Sequence, residues 1–583
     1  MTEITSLRPL GAIAVPALGI LAILASHRRP NVREGFTIGT AVATLAVVAS
    51  MVPRAVQGDA YVTDLGTFVP GIEFVIRADP LGMIFGLLAS FLWLITSFYS
   101  IGYMRGLDEH SQTRYFAAFA ASISSALGVA FASNLIVLYV FYELLTVATY
   151  PLVAHDETEE ARTAGRKYLL YTFGGGVSVL AGTALVFWAT GTVEFASGGI
   201  AALASADPLI GRAAFALLIA GFGVKAALMP IHSWLPDAMV APTPVSGLLH
   251  AVAVVKSGVF GIARVILDVF GPDLVGDLGM GLPLAAVAGF TILASSIIAL
   301  RQDNLKRRLA YSTVSQLSYI VLGLAILSPA AIVGGLLHIP AHAFMKLTLF
   351  FAAGAIHVET HTDDISQMAG IGKRMPLTMV AFGIASVGMA GLPLVAGFVS
   401  KWYLLIGSLD AGTTIFAVVL FLSGLLNIGY FWPIVYRAFF QSAEDADRTP
   451  LVEWPIGGPT PQTDGGRPEP ADTVEGTYAV DRKPSDVDTG GGTAVEDHEG
   501  DSQGEPGDVG HDGHDDHEAD DHHGGPPEGG WGRRGFGEES TWFMIGPILV
   551  AVGGAVALGI VPYSMVFLEL VQQVVVDVLG VGL

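Results

Sequence analysis

The sequence predicts an all-α, polytopic membrane protein of about fourteen transmembrane helices, with two inverted five-helix repeats and broken helices 7 and 12. Three observations carry that prediction. The 583 residues are 52% hydrophobic and only 14% charged, too apolar for a soluble chain of this size. Apolar windows of about 20 residues recur, each able to cross a ~30 Å hydrocarbon core. The cations between those windows are sorted into alternate links.

In order along the chain the windows lie near 7–26, 36–56, 79–101, 113–132, 134–153, 164–189, 211–231, 242–267, 281–300, 309–327, 330–357, 376–407, 413–439 and 542–572. They divide into an N-terminal three-helix segment (1–112), a first repeat (113–267, helices 4–8), a second repeat (281–440, helices 9–13), an acidic linker (441–540) and a last transmembrane helix (541–583). The first window has no basic segment ahead of it and is long, so it reads as the first helix and not as a cleavable signal.

Loop charge sets the expected orientation. The links after helices 1, 3, 5, 9 and 11 carry Arg28, Arg29, Arg33, Arg105, Arg114, Arg162, Arg166, Lys167, Arg301, Lys306, Arg307, Arg308, Lys373 and Arg374. The opposite links carry only Arg54, Arg77 and Arg212 among many acids. By the positive-inside rule the first set faces the cytoplasm of a multi-pass plasma-membrane protein, and an even helix count leaves both termini outside.

The stretch 441–540 is different in kind. Rich in Gly, Pro, Asp and Glu, it has too few large apolar side chains to fold and is expected as a disordered cytoplasmic loop. Its HDGHDDHEADDHH segment places His511, His514, His517, His522 and His523 together, either as a weak metal site or pH-sensitive tether, or simply within a solvating linker.

Other chemistries are excluded. With no cysteine there is no disulfide, thiol catalyst, Cys-ligated zinc or iron–sulfur ligation. No G-x-x-x-x-G-K-[ST] loop is present to cradle a nucleotide, so the chain does not read as an ATP-driven pump by itself; no cofactor is expected. What stands out instead is buried charge. Lys225 sits alone in AFALLIAGFGVKAALMPIHSWLPDAM, Lys401 follows Pro393 in GMAGLPLVAGFVSKWYLL, and Glu143 lies inside NLIVLYVFYELLTVATYPLV. Charge at bilayer depth costs several kcal/mol unless paired or wetted, and marks ion paths. The two repeats start from opposite sides of the membrane, and the fourth helix of each pairs a lone Lys with a Pro: Lys225 with Pro230, Lys401 with Pro393. Interrupted helices in inverted halves point to a midplane conduction site.

His338, His342 and Lys346 are spaced by four, so they share one helix face over about 12 Å. A titratable stripe of that length can pass protons through intervening water, since an unperturbed His titrates near neutrality; the alternative is core histidines that hydrogen-bond a neighbouring carbonyl. His250 and Lys256, six residues apart, fall about 120° from each other on a straight helix, and His250 reads equally well as structural. His232, Trp234, Pro236 and Asp237 read as the geometry of the break after Lys225. Gly174, Gly175 and Gly176 read as close helix packing, and Arg301, Arg307 and Arg308 as rim charges.

The segments VKAALMPIHSWLPDAMVAPTPVSGLLHAVAVVKSGVF, DNLKRRLAYSTVSQLSY and LLHIPAHAFMKLTLFFAAGAI resemble the antiporter-like membrane subunits shared by Mrp-type cation/proton antiporters, respiratory complex I and membrane-bound hydrogenases. The resemblance covers roughly residues 75–440, and the linker at 441–540 departs from the family pattern. It implies fourteen helices, two inverted repeats and a proton path near mid-membrane. It further implies that Glu143 and Lys225 form a switching ion pair and that Lys401 stands next to an exit. Between them the path would run through His250, Lys256, Lys306, His338, His342 and Lys346, with Lys306 either in the path or part of the rim.

The expected function is therefore that of a proton-conducting, D-like subunit of an Mrp-type antiporter, exchanging sodium for protons without a catalytic site of its own. Its expected partners are further membrane subunits and the lipid bilayer, with no nucleic acid. One span after the insertion leaves no room for a lateral helix, which favours this reading over the larger relatives, although LLHAVAVVK looks more like those. The alternative is a proton-pumping subunit of complex I or of a membrane-bound hydrogenase, where redox chemistry elsewhere drives the same path. Buried Lys and Glu argue against a structural scaffold, and a family whose members act in assemblies argues against a standalone carrier.

Overall fold

The computed structural model describes residues 2–442, 524–527 and 530–582. Among these, ten helices are long and apolar enough to cross a membrane. They include α1 (Arg8–Ala25), α2 (Pro30–Ala49), α3 (Pro80–Gly106), α5 (Leu135–Val153), α6 (Glu159–Thr190) and α7 (Pro208–Lys225). The rest are α9 (Gly281–Leu300), α11 (Pro329–Thr360), α13 (Thr414–Phe440) and α14 (Trp542–Ile560). The four remaining windows correspond to α4 (Gln112–Ala130), α8 (243–270), α10 (Leu305–Ala325) and a broken pair, α12a (Pro376–Ala390) and α12b (Ala396–Asp410). Every sequence window thus has a helical counterpart.

Starts are set by capping side chains. Asp79, Asn134, Thr158, Asp207, Asn304 and Ser328 each accept a first-turn amide, and proline follows three of them at Pro80, Pro208 and Pro329. Helix α7 stops at Lys225, and short turns at Trp234–Asp237 and Ala238–Val240 carry the chain on, as the prolines of that segment require. The α12 break runs through Gly391 and Leu394, both with positive φ.

Helix α8 differs from the straight helix expected over 242–267. It is built of Thr243–Gly247, a π turn at Leu248–Val252, Val254–Arg264 and a second π turn at Val265–Phe270. His250 lies within the first π turn and Lys256 beyond it, so the 120° offset of an ideal helix does not apply.

Helix α11 is the axis of the molecule, buried without interruption from Ala331 to Ile356. Helices α3, α8, α10, α12a, α12b and α14 pack around it. A helix enclosed on all sides has to turn its polar side chains toward protein, which places His338, His342 and Lys346 in the interior.

Two features depart from an all-helical chain with one closing span. Strands β1 (Glu3–Thr5), β2 (Ala60–Val69) and β3 (Ile72–Ala78) form a small sheet, β1 parallel and β3 antiparallel to β2. The expected last span over 542–572 is two helices: after α14, Pro562 ends the segment and α15 (Val566–Leu579) packs on α3 and α11.

Most of the acidic insertion, including the five clustered histidines, lies outside the described residues. Its end is fixed. Trp531 Nε1 donates to the Ala369 carbonyl at 3.0 Å, and buried Glu539 accepts from the Leu377 and Thr378 amides at 2.8 and 2.7 Å. A carboxylate there satisfies the free N–H groups at the start of α12a.

Candidate functional site: a buried line of titratable groups

Lys225, His250, Lys256, His338, His342 and Lys346 are all fully buried. Lys225 Nζ donates to the Tyr142 carbonyl at 2.6 Å and lies 3.4 Å from the centre of the Tyr142 ring. Trp234, from the break, donates through Nε1 to the Val224 carbonyl at 2.8 Å and so fixes the end of α7 beside Lys225. Asp237 pairs with Lys167.

Glu143, one residue after Tyr142 on α5, is the carboxylate expected to pair with Lys225. Neither of its oxygens has a hydrogen-bond partner, although both atoms are buried. The carboxylate lies against Gly176 of α6, where a Cβ would overlap Oε1. One glycine away, Gly175 and Gly221 bring α6 and α7 into contact, each Cβ site within 3 Å of the other's carbonyl. The glycine run therefore packs helices, as expected, and also makes room for an acid, which its local pattern does not announce.

Farther along, the helices converge on α11. Lys256 Nζ lies 2.8 Å from His342 Nδ1. The His342 and His338 rings are 6.1 Å apart. His338 is held at both nitrogens, by Ser400 Oγ of α12b at 2.8 Å and Gln316 Oε1 of α10 at 2.9 Å. Its ring faces Tyr319 at 5.5 Å, and Lys401 Nζ sits 4.6 Å from the same Tyr319 ring while donating to the Met389 carbonyl at 2.6 Å. The order Lys256, His342, His338, Tyr319, Lys401 thus links α8 to the broken α12 through the centre of the protein. Gln316, Tyr319 and Ser400 have no periodic signal of their own; only DNLKRRLAYSTVSQLSY, as a motif, points to the segment of the first two.

The other expected residues flank this line. Lys346 turns toward α10, donating to the Leu309 carbonyl at 3.0 Å and bonding Ser312 Oγ. The His250 ring lies 4.8 Å from the Phe350 ring, tilted by 45°, with both nitrogens unpartnered, and His342 Nε2 is likewise unpartnered. Buried nitrogens without a protein partner call for water, the medium that a proton relay uses. Lys306 stands apart, half-buried at the start of α10 with Nζ 3.4 Å from the Ala241 carbonyl. Arg308 is not a rim charge: it is buried and donates to the Gln302 and Tyr430 carbonyls. Between Lys225 and Lys256 no hydrogen bond runs directly. Helices α7 and α8 meet there at Gly258, whose Cβ site is 2.7 Å from the Lys225 carbonyl carbon and 2.8 Å from the Phe222 oxygen.

At the other end, Arg264 of α8 binds Asp79 bidentately at 2.7 and 2.8 Å and Asp268 at 2.8 Å. All three are buried, a brace that no sequence motif singles out.

A family model for the transmembrane part of NADH:quinone oxidoreductase and Mrp antiporter subunits matches residues 132–426, the region that carries this line. The N subunit of NADH-quinone oxidoreductase from Desulforudis audaxviator is 35% identical over 413 residues, covering 70% of this chain and 81% of that protein. The probable A/B subunit of a K(+)/H(+) antiporter from Rhizobium meliloti is 33% identical over 458 residues; the match covers 75% of this chain but 44% of the relative. Among solved structures, a chain of the Mrp complex from Dietzia sp. DQ12-45-1b superposes with a TM-score of 0.74 at 23% identity, over 98% of this chain and 97% of that one. That likeness shows a shared fold.

Proposed function

Since the chain belongs to the NADH:quinone oxidoreductase/Mrp antiporter transmembrane family, we propose that it is the proton-conducting, D-like subunit of a multisubunit Mrp-type antiporter that exchanges sodium for protons. It is in any case an antiporter-like, multi-pass membrane subunit of Mrp or complex I type. One observation supports proton conduction above all. Buried Lys256, His342 and His338 follow one another inside an apolar bundle and lead, past Tyr319, to half-buried Lys401. A scaffold gains nothing from such groups, whose burial costs several kcal/mol each.

In this reading α4–α8 and α9–α13 are the inverted repeats, the basic links face the cytoplasm of a plasma-membrane assembly, and Glu143 is the gate. Burial disfavours a charged amine and a nearby carboxylate favours it, so movement of Glu143 toward or away from Lys225 loads or releases a proton. The observed geometry fits the separated state, with Lys225 on the Tyr142 carbonyl and Glu143 unbonded. The proton gradient supplies the driving force, about 2.3 kcal/mol per charge per 100 mV.

A proton-pumping role in a complex I-like or hydrogenase-like assembly is the second reading. The match covers 81% of the oxidoreductase relative against 44% of the antiporter relative, which favours it. Sodium-dependent proton movement in vesicles, measured without a redox donor, separates the two. Lys225→Ala and Glu143→Ala should each abolish it; near-normal exchange by both variants would remove the gate.

A further inference from the structure

We propose that Glu109, His110 and His155 form a site for one divalent transition-metal ion of the zinc type, tying the α3–α4 turn to the α5–α6 turn. The cluster lies off the buried line and goes beyond the transport role. Glu109 Oε2 is 3.8 Å from His110 Nδ1 and 3.8 Å from His155 Nε2, and one ligand atom from each residue falls within 4.8 Å of the others. Tetrahedral zinc with bonds of about 2.0–2.2 Å separates its ligands by roughly 3.4 Å, so closing on an ion requires only small side-chain shifts.

A second observation points to a ligand. His155 is 0% exposed, and neither ring nitrogen has a hydrogen-bond partner. A buried imidazole with no partner is costly, and metal ligation from Nε2 relieves that cost. The surroundings orient the set. His110 Nε2 lies 3.1 Å from the His155 carbonyl; donating there, it leaves Nδ1 as the lone-pair nitrogen on the Glu109 side. Arg114 donates to the same carbonyl at 3.0 Å, fixing the His155 backbone. A water completes four-coordination. Two imidazoles and a carboxylate suit zinc; calcium and magnesium would prefer oxygens alone.

The test uses the full chain in its membrane complex with His511, His514, His517, His522 and His523 replaced by Asn, so that the linker histidines supply no ligand. Zn²⁺ is titrated calorimetrically, Co²⁺ is followed by its visible absorption, and X-ray absorption reports the ligands. We expect one Zn²⁺ per chain with two imidazoles and an oxygen. Affinity should fall at least about tenfold in His155→Ala and in His110→Gln, a variant at a half-exposed site that leaves folding intact. No zinc uptake by the linker-substituted chain with normal thermal unfolding, or uptake unchanged in both variants, would overturn the site.

Discussion

Lys256 and His342 meet nitrogen to nitrogen, Nζ 2.8 Å from Nδ1, across the contact between α8 and α11. Two basic groups at that distance share one proton comfortably but not two, because like charges in a dry site repel. A bond of this kind either relays a proton or holds two helices together.

Substitution should separate those roles. His342→Gln keeps an acceptor for Lys256 but cannot relay a proton, so transport should fall at least about tenfold with thermal unfolding nearly unchanged. Lys256→Met leaves His342 without a partner and should lose transport and also about 1–3 kcal/mol of stability. Vesicle transport and denaturant unfolding of the two variants check both halves; normal transport by His342→Gln would show the bond to be structural.

Gly176 decides where the Glu143 carboxylate can sit. Gly176→Ala should overlap Oε1 and reduce transport nearly as far as Glu143→Ala, whereas Gly174→Ala, which meets nothing within 4 Å, should be silent. The same vesicle assay on the two alanine variants tests this.

Arg264 bonds two buried carboxylates, Asp79 at the start of α3 and Asp268 near the end of α8. Arg264→Met strands both and should cost about 3–5 kcal/mol, while Arg264→Lys should recover only part because an ammonium cannot bind Asp79 bidentately. Thermal unfolding of the membrane complex gives the ranking.

Glu194, in the α6–α7 connection, accepts from Asn134 Nδ2 at 2.8 Å, yet burial raises its carboxyl above the ordinary value of 4.5. A carboxyl with a raised folded pKa stabilises fully below its unfolded value, and that contribution is lost as pH climbs through the folded one. Wild-type stability should therefore decline as pH rises from about 4 toward neutrality through this group, and Glu194→Gln should flatten the decline and be at least as stable at about pH 7. Unfolding midpoints across that range provide the measurement.

Much of this is legible in the chain before it folds. Hydrophobic length locates all fourteen windows, since a span must satisfy its backbone internally and cover the bilayer. The Pro-marked breaks after Lys225 and before Lys401 also stand where proline chemistry puts them. The β2–β3 hairpin is readable too, from alternation on either side of Pro70–Gly71, but the apolar windows mask it. Residues such as Gly176, Gln316, Ser400 and Arg264 are not. Their significance lies in atoms from other helices, and nothing in their local pattern marks those partners.

Composition alone gives the membrane class, the helical windows and the burial of Lys225 and of the α11 stripe, because each follows from an apolar segment set against a hydrocarbon solvent. How those charges are arranged came from packing between helices. Packing around α11 joined Lys256 to His342, turned Lys346 toward α10, left Lys306 aside and set Glu143 apart from Lys225. Range separates the two: an apolar span is written in its own segment, whereas a hydrogen bond of 2.8 Å between distant segments depends on helix register, π turns and glycine contacts that the whole fold must settle together.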